Sequence, residues 1–258
     1  MKIAFEEHGS GKPIILLHAF PLSRKMWKQN IDSIVEANYR AITPDLRGFG
    51  ESSNFADINS MEAMAQDVAE LMDSLKIEKA VIGGLSMGGY VALDFYRLFP
   101  RKVSALVLCD TNSAADSEDK RESRYEMVEK IEEQGSKVLI ENMLPNLVSD
   151  FTKVKNKNLM TDLEQMFAEA DAQALIAALR GMAERESHDQ ILKSIDVPTI
   201  LIFGETDSIT DLEVASLMQN RIPASNLFII ENAGHYSNLE QPEQFNDVLS
   251  KFLSDVQL

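Results

Sequence analysis

At 258 residues the chain is long enough for one α/β domain with an insertion, and no Pro/Gly/Ser-rich run, repeat or low-complexity tract offers a linker to a second domain. The formal charge of −16, from 25 basic and 41 acidic residues, argues against nucleic acid, anionic membranes and strongly anionic substrates as partners. Two acids in Met1-Lys-Ile-Ala-Phe-Glu-Glu-His8 occupy the place of a leader's basic stretch, and no later apolar run approaches a membrane span, so a cytoplasmic protein with no membrane partner is expected.

Residues 2–7 read as a short strand, 8–13 as a turn, and Ile14-Ile-Leu-Leu17 as the continuous apolar run of a central parallel strand. The loop His18-Ala-Phe-Pro-Leu-Ser23 precedes helical spacing over 26–37, and a strand over 40–43 ends at Pro44-Asp-Leu-Arg-Gly-Phe-Gly50. Ser60 opens an amphipathic helix with the stripe Met61, Met64, Ala65, Val68, Leu71, Met72 and Leu75. Val81 and Ile82 close the next strand, residues 91–99 form the next helix, and 103–108 form another buried strand with Asp110 at its carboxyl end. Cys109 is the only cysteine, so no intrachain disulfide can form, and its setting suggests a buried thiol without a catalytic role.

From Thr111 the alternation stops. Residues 117–186 contain only helix-like segments, among them 125–131 and 172–179, so the expected division is a core of 1–110 and 187–258 with a helical cap insertion over 111–186. Its methionines Met127, Met143, Met160, Met166 and Met182 are expected as core filler more than as ligand contacts. A strand over 197–203, a helix over 211–219, a strand over 226–230 and a helix over 241–252 complete the pattern of a mostly parallel sheet flanked by helices.

The chemistry gathers at strand ends. Gly84-Leu-Ser86-Met-Gly88 joins a strand directly to a helix, a turn so tight that the positions two before and two after Ser86 must lack side chains. Alone such a pattern arises by chance in about one chain in ten of this length, and the flanking strand and helix make it informative. Asp207 and His235 each follow a later strand, and residues at the carboxyl ends of parallel strands converge on one crevice. A serine hydroxyl needs a base to become a nucleophile, which His235 supplies, with Asp207 orienting the imidazole. Asp110 is the rival acid and Asp211 a weaker one, while His8, His18 and His188 lack the final-loop position and His18 reads as structural. For the developing oxyanion, Met87 offers one backbone donor and Phe20 the other, because Pro21 has no N–H. Phe20, Trp27 and Met87 are the expected pocket residues.

Leu17-His-Ala-Phe-Pro-Leu-Ser23, Asp45-Leu-Arg-Gly-Phe-Gly50, Gly84-Leu-Ser-Met-Gly-Gly89, Arg180-Gly-Met-Ala183, Gly204-Glu-Thr-Asp207 and Ala233-Gly-His235 together resemble the α/β-hydrolase superfamily, within it the small esterases, cofactor-free haloperoxidase/perhydrolases and enol-lactonases. The chain carries His18-Ala19 where that family usually has His-Gly, and it begins at the family's second strand. The resemblance therefore implies an α/β-hydrolase fold of about seven strands with the first edge strand absent. It implies a serine carboxylesterase acting through Ser86, His235 and Asp207 on small, uncharged acyl or aryl esters, with no cofactor and no metal, as a monomer or homodimer. Enol-lactone or carbon–carbon bond hydrolysis with Arg121, Arg124 or Arg180 on a substrate carboxylate, perhydrolysis, and ligand binding without turnover are the alternatives.

Overall fold

The apolar runs become the middle of a seven-stranded sheet in the computed structural model, which describes residues 3–52 and 55–256. Its strands are β1 (Phe5–His8), β2 (Lys12–Leu17), β3 (Tyr39–Pro44), β4 (Ala80–Leu85), β5 (Val103–Cys109), β6 (Thr199–Gly204) and β7 (Ser225–Ile230). Lys2, where the sequence starts the first strand, lies outside the described residues. The spatial order is β1-β3-β2-β4-β5-β6-β7, with β1 antiparallel to β3 and every other pair parallel. Strands β4, β5 and β6 are buried along their whole length, which is why they read as unbroken apolar runs rather than alternating ones.

Around the sheet lie α1 (Ile31–Glu36), α2 (Met61–Ser74) and α3 (Met87–Leu98). Between β5 and β6 come α4 (Glu118–Gln134), α5 (Val138–Asn142), α6 (Leu144–Leu147), α7 (Asp150–Lys155), α8 (Lys157–Glu169) and α9 (Ala172–Ala183), with no strand among the described residues there. Then follow α10 (Leu212–Arg221), α11 (Ser237–Glu240) and α12 (Pro242–Asp255). Side-chain caps start several of these helices: Ser60, Ser117, Ser149 and Asp171 each accept the N–H three residues on. Asp211, a weaker rival acid in the sequence, caps α10 by accepting from the Glu213 and Val214 amides. No described helix is long and apolar enough to cross a membrane.

One element departs from its sequence pattern. The helix expected over 26–37 begins as a 3₁₀ segment, Arg24–Asn30, and turns α-helical only at Ile31. Arg24, Trp27 and Asn30 are all buried, and a spacing of three suits three residues per turn. The sheet's direction of growth reverses between β2 and β4, because the chain runs outward to β3 and returns to add β4 on the other side. At such a switch point the loops after two neighbouring strands leave a crevice, here the loop carrying Phe20 and the turn carrying Ser86.

Candidate active site

Ser86 joins β4 to α3 with φ 54° and ψ −113°, a left-handed backbone costing on the order of 1–3 kcal/mol. Its N–H donates to the Cys109 carbonyl at 2.9 Å, and Thr111 Oγ1 donates to its carbonyl at 2.8 Å, so the bend is held from the β5 side. A Cβ on Gly84 would stand 2.1 Å from the Gly88 carbonyl oxygen, and one on Gly88 would stand 2.2 Å from that of Leu17. Only glycine fits where strand and helix approach this closely.

His235, in the loop after β7, places Nε2 2.7 Å from Ser86 Oγ and Nδ1 2.8 Å from Asp207 Oδ2. Asp207, in the loop after β6, also accepts from the Ile209 and Thr210 amides at 2.8 and 3.1 Å and from Thr210 Oγ1 at 2.5 Å. Burial acts against its ionised form, but the neighbouring His235 and these donors outweigh burial and hold the carboxyl below the usual carboxylate range. An ionised carboxylate can only accept, so Nδ1 carries the proton and Nε2 is left to accept from the Ser86 hydroxyl. The three residues singled out in sequence order thus form one hydrogen-bonded chain.

The family model for the alpha/beta hydrolase fold matches residues 12–242. The chain belongs to that family. The hydrolase is 37% identical to a thermophilic esterase from Thermogutta terrifontis, with a TM-score of 0.96 over 99% of this chain and 94% of that one. It is 30% identical over 244 residues to 3-oxoadipate enol-lactonase 1 of Acinetobacter baylyi, covering 95% of this chain and 89% of the relative. An enol-lactonase from Burkholderia xenovorans shares the fold at 20% identity, with a TM-score of 0.90 over 98% of this chain and 96% of the other.

The loop bearing the hydrolase's imidazole is clamped by one carboxylate. Glu240 Oε1 accepts from the Gly234 and Tyr236 amides at 2.9 and 3.3 Å, the two neighbours of His235, and Oε2 accepts from the Ser149 amide at 2.8 Å. The His235 amide itself donates to the Leu147 carbonyl at 2.9 Å. Asp110 makes no hydrogen bond to His235, whose Nδ1 pairs with Asp207. Asp110 Oδ1 accepts from the Gly204 amide at 2.7 Å and its Oδ2 from Ser237 Oγ at 2.5 Å, so it ties the end of β6 to α11. Burial, with Asp207 nearby, pushes its carboxyl well above the ordinary range. His18 is buried and neutral in its pairing: Nδ1 donates to the Ala19 carbonyl at 3.0 Å while Nε2 accepts the Leu46 amide at 2.9 Å, and burial lowers its pKa. It pins the loop after β3 beneath Phe20, whose ring stands edge-on to Phe49 at 6.2 Å.

Above Ser86 opens a cavity of about 220 Å³. Its lining joins Ser86 and His235 to Phe20, Tyr90, Leu147, Ile209, Leu179, Met127, Met143 and Met182, with Lys120, Ser123 and Arg124 from α4. Two expected pocket residues are corrected. Trp27 is fully buried, 6.2 Å from the Phe245 ring, because it sits on the inward stripe of the 3₁₀ segment and faces α12 instead of the cavity. Met87, the first residue of α3, has its side chain fully buried and outside the lining; its backbone N–H, at a helix start, needs no intrahelical partner. Three of the five methionines expected as filler, Met127, Met143 and Met182, line the cavity, while Met160 and Met166 pack partly buried against the core.

Several contributors escaped sequence reading. Thr210 had a local signal, the Asp-x-x-Thr spacing by which an aspartate collects nearby donors. Tyr90 had one too, a position one helical turn beyond Ser86. Glu240, Leu147, Lys120 and Ser123 had none, since their relation to the site depends on how distant segments dock; of the three arginines named for a substrate carboxylate, Arg124 lines the cavity and Arg121 and Arg180 do not.

Proposed function

We propose that the hydrolase is a serine carboxylesterase that cleaves small esters through a Ser86 acyl-enzyme. The observation that carries this reading is the 2.7 Å contact between Ser86 Oγ and His235 Nε2, backed by Asp207 and open to a cavity of substrate size. His235 takes the hydroxyl proton as Oγ attacks the ester carbonyl carbon, and Asp207 stabilises the imidazolium that forms. Charge collects on the carbonyl oxygen, where the Met87 and Phe20 amides are the proposed donors. The imidazolium then gives its proton to the departing alkoxide. Water repeats the sequence on the acyl-enzyme, releasing the acid and restoring Ser86. A lactone is a cyclic ester, so the same steps open its ring. The likeness to an esterase at 37% identity and to an enol-lactonase at 30% supports ester-type substrates.

The test is turnover of 4-nitrophenyl acetate and butanoate by the native protein and by Ser86→Ala. Loss of about 10⁴-fold or more in kcat is expected, with a fluorophosphonate labelling the native protein on the Ser86 peptide only. Near-native turnover by the variant would overturn the reading.

A further inference from the structure

The lining above Ser86 holds two cations and no carboxylate, in a chain whose acids outnumber its bases 41 to 25. Lys120, Ser123, Arg124 and Met127 line it at intervals of three, four and seven residues along α4, so one face of that helix is turned to the cavity. The two cations are in different states. Arg124 donates Nε and Nη2 to Asp116 and directs Nη1 to Met182 Sδ at 3.4 Å. Arg185 shares the same carboxylate at 2.7 Å, with its guanidinium 4.1 Å over the Tyr90 ring. Two guanidiniums on one carboxylate leave one positive charge behind that wall. Lys120 is half-buried, and among the described residues its ammonium has neither a hydrogen-bond nor an ion-pair partner.

Lys120 is thus a half-buried residue of a mostly apolar lining whose cation has no counter-charge among the described residues, which leaves it open to pair with an anionic group that enters the cavity. The net charge of −16 acts from outside and is screened over about 8 Å at physiological ionic strength, so within the cavity the nearby cations dominate. We propose that the substrate carries a carboxylate at the end remote from the ester bond, and that Lys120 receives it with Ser123 and Arg124 alongside. The group that is cleaved rests on the esterase reading; the carboxylate rests on the cavity alone. This departs from the uncharged ester expected from the sequence; of the arginines named there for the alternative, a substrate carboxylate, only Arg124 is in the lining, and Lys120 was not among them.

The experiment compares kcat/KM for 4-nitrophenyl hydrogen glutarate against 4-nitrophenyl hexanoate, and for butanoyl glycolate against propyl butanoate, each pair matched in size. Native protein, Lys120→Gln and Arg121→Gln are measured, the last as an exposed cation on the same helix outside the lining. In at least one pair the charged-to-neutral ratio should fall about fivefold or more in Lys120→Gln, stay within twofold of native in Arg121→Gln, and fall with added salt in the native protein. Glutarate binding to native and Lys120→Gln protein by calorimetry should show the same loss, and this readout does not depend on which residue performs the cleavage. Unchanged ratios in both pairs, or glutarate binding that is absent from the native protein or untouched by Lys120→Gln, would overturn the proposal. Native protein that turns over none of the four esters yet binds glutarate through Lys120 would remove the esterase reading and leave the carboxylate site standing.

Discussion

The floor and the roof of one cavity are held together differently. The floor is the carboxyl edge of buried parallel strands, where the polar side chains around Ser86 are each tied to a named partner, such as Asp207 to four donors and Glu240 to three amides. The roof is helical and wetter: of the 17 residues of α4 only Val128 and Ile131 are buried, and ion pairs such as Arg180 with Glu132 lie on its outer side. Dense burial fixes geometry to fractions of an ångström, whereas half-exposed helices can exchange side chains at little cost. Substitutions in the floor should therefore change the chemistry or the fold, and substitutions in the roof should change which substrate enters.

The largest separation should come from Asp207→Asn, which removes the acceptor that sets the imidazole's tautomer. A loss of about 10⁴-fold in kcat, equivalent to about 5 kcal/mol of barrier, is expected, together with a lower thermal midpoint at neutral pH because the depressed pKa is itself a stabilising contribution. Steady-state kinetics beside a melting curve checks it, and a kcat within tenfold of native would break the assignment. Gly88→Val comes next, because its Cβ would lie 2.2 Å from the Leu17 carbonyl oxygen; a stability loss above about 3 kcal/mol is expected from urea unfolding. Glu240→Gln turns an NH₂ toward at least one of the amides now accepted by the carboxylate. A cost of about 1–3 kcal/mol follows for the buried donor left unpaired, and kcat should fall more than KM rises because the loop that loosens carries His235. Glu240→Ala showing intact kcat would separate that loop from the chemistry.

The two neighbouring floor acids sharpen the comparison by pH. Asp207 has its folded pKa depressed, so its stabilising contribution is present above the ordinary carboxylate pKa of about 3.9 and is lost as pH falls through the folded value. Asp110 has its folded pKa raised, so its contribution is complete below that ordinary value and is lost as pH rises through the folded one. Asp110→Asn should therefore gain stability relative to native protein as pH increases from 5 to 8, and Asp207→Asn should lose less than native protein below pH 4. Melting curves across that range measure both, and parallel profiles for all three proteins would contradict the assignment. The smallest effect belongs to the roof: Lys25 and Glu169 pair at 3.0 Å with side chains 64% and 47% exposed, so Glu169→Gln should cost less than about 1 kcal/mol.

Much of the floor was legible without coordinates, for a physical reason. Central parallel strands write themselves as unbroken apolar runs, the close approach at Ser86 demands glycine at 84 and 88, and polar residues placed just after strands share one edge whatever the intervening length. The seven strands and the placing of Ser86, Asp207 and His235 at one sheet edge follow from those local constraints, as does the helix start at Ser60, whereas Asp211, a rival acid in the sequence, is a helix cap. Tertiary structure alone decided that Asp110 serves Ser237 and Gly204 rather than the imidazole, because both acids end neighbouring strands and only the path of the loop after β7 chooses between them. It also sent Trp27 to α12 and brought Lys120 into one cavity with Ser86. Residues that are buried through long-range docking, or exposed on a helix whose inward face is set by its neighbours, carry no spacing by which a linear chain could announce them.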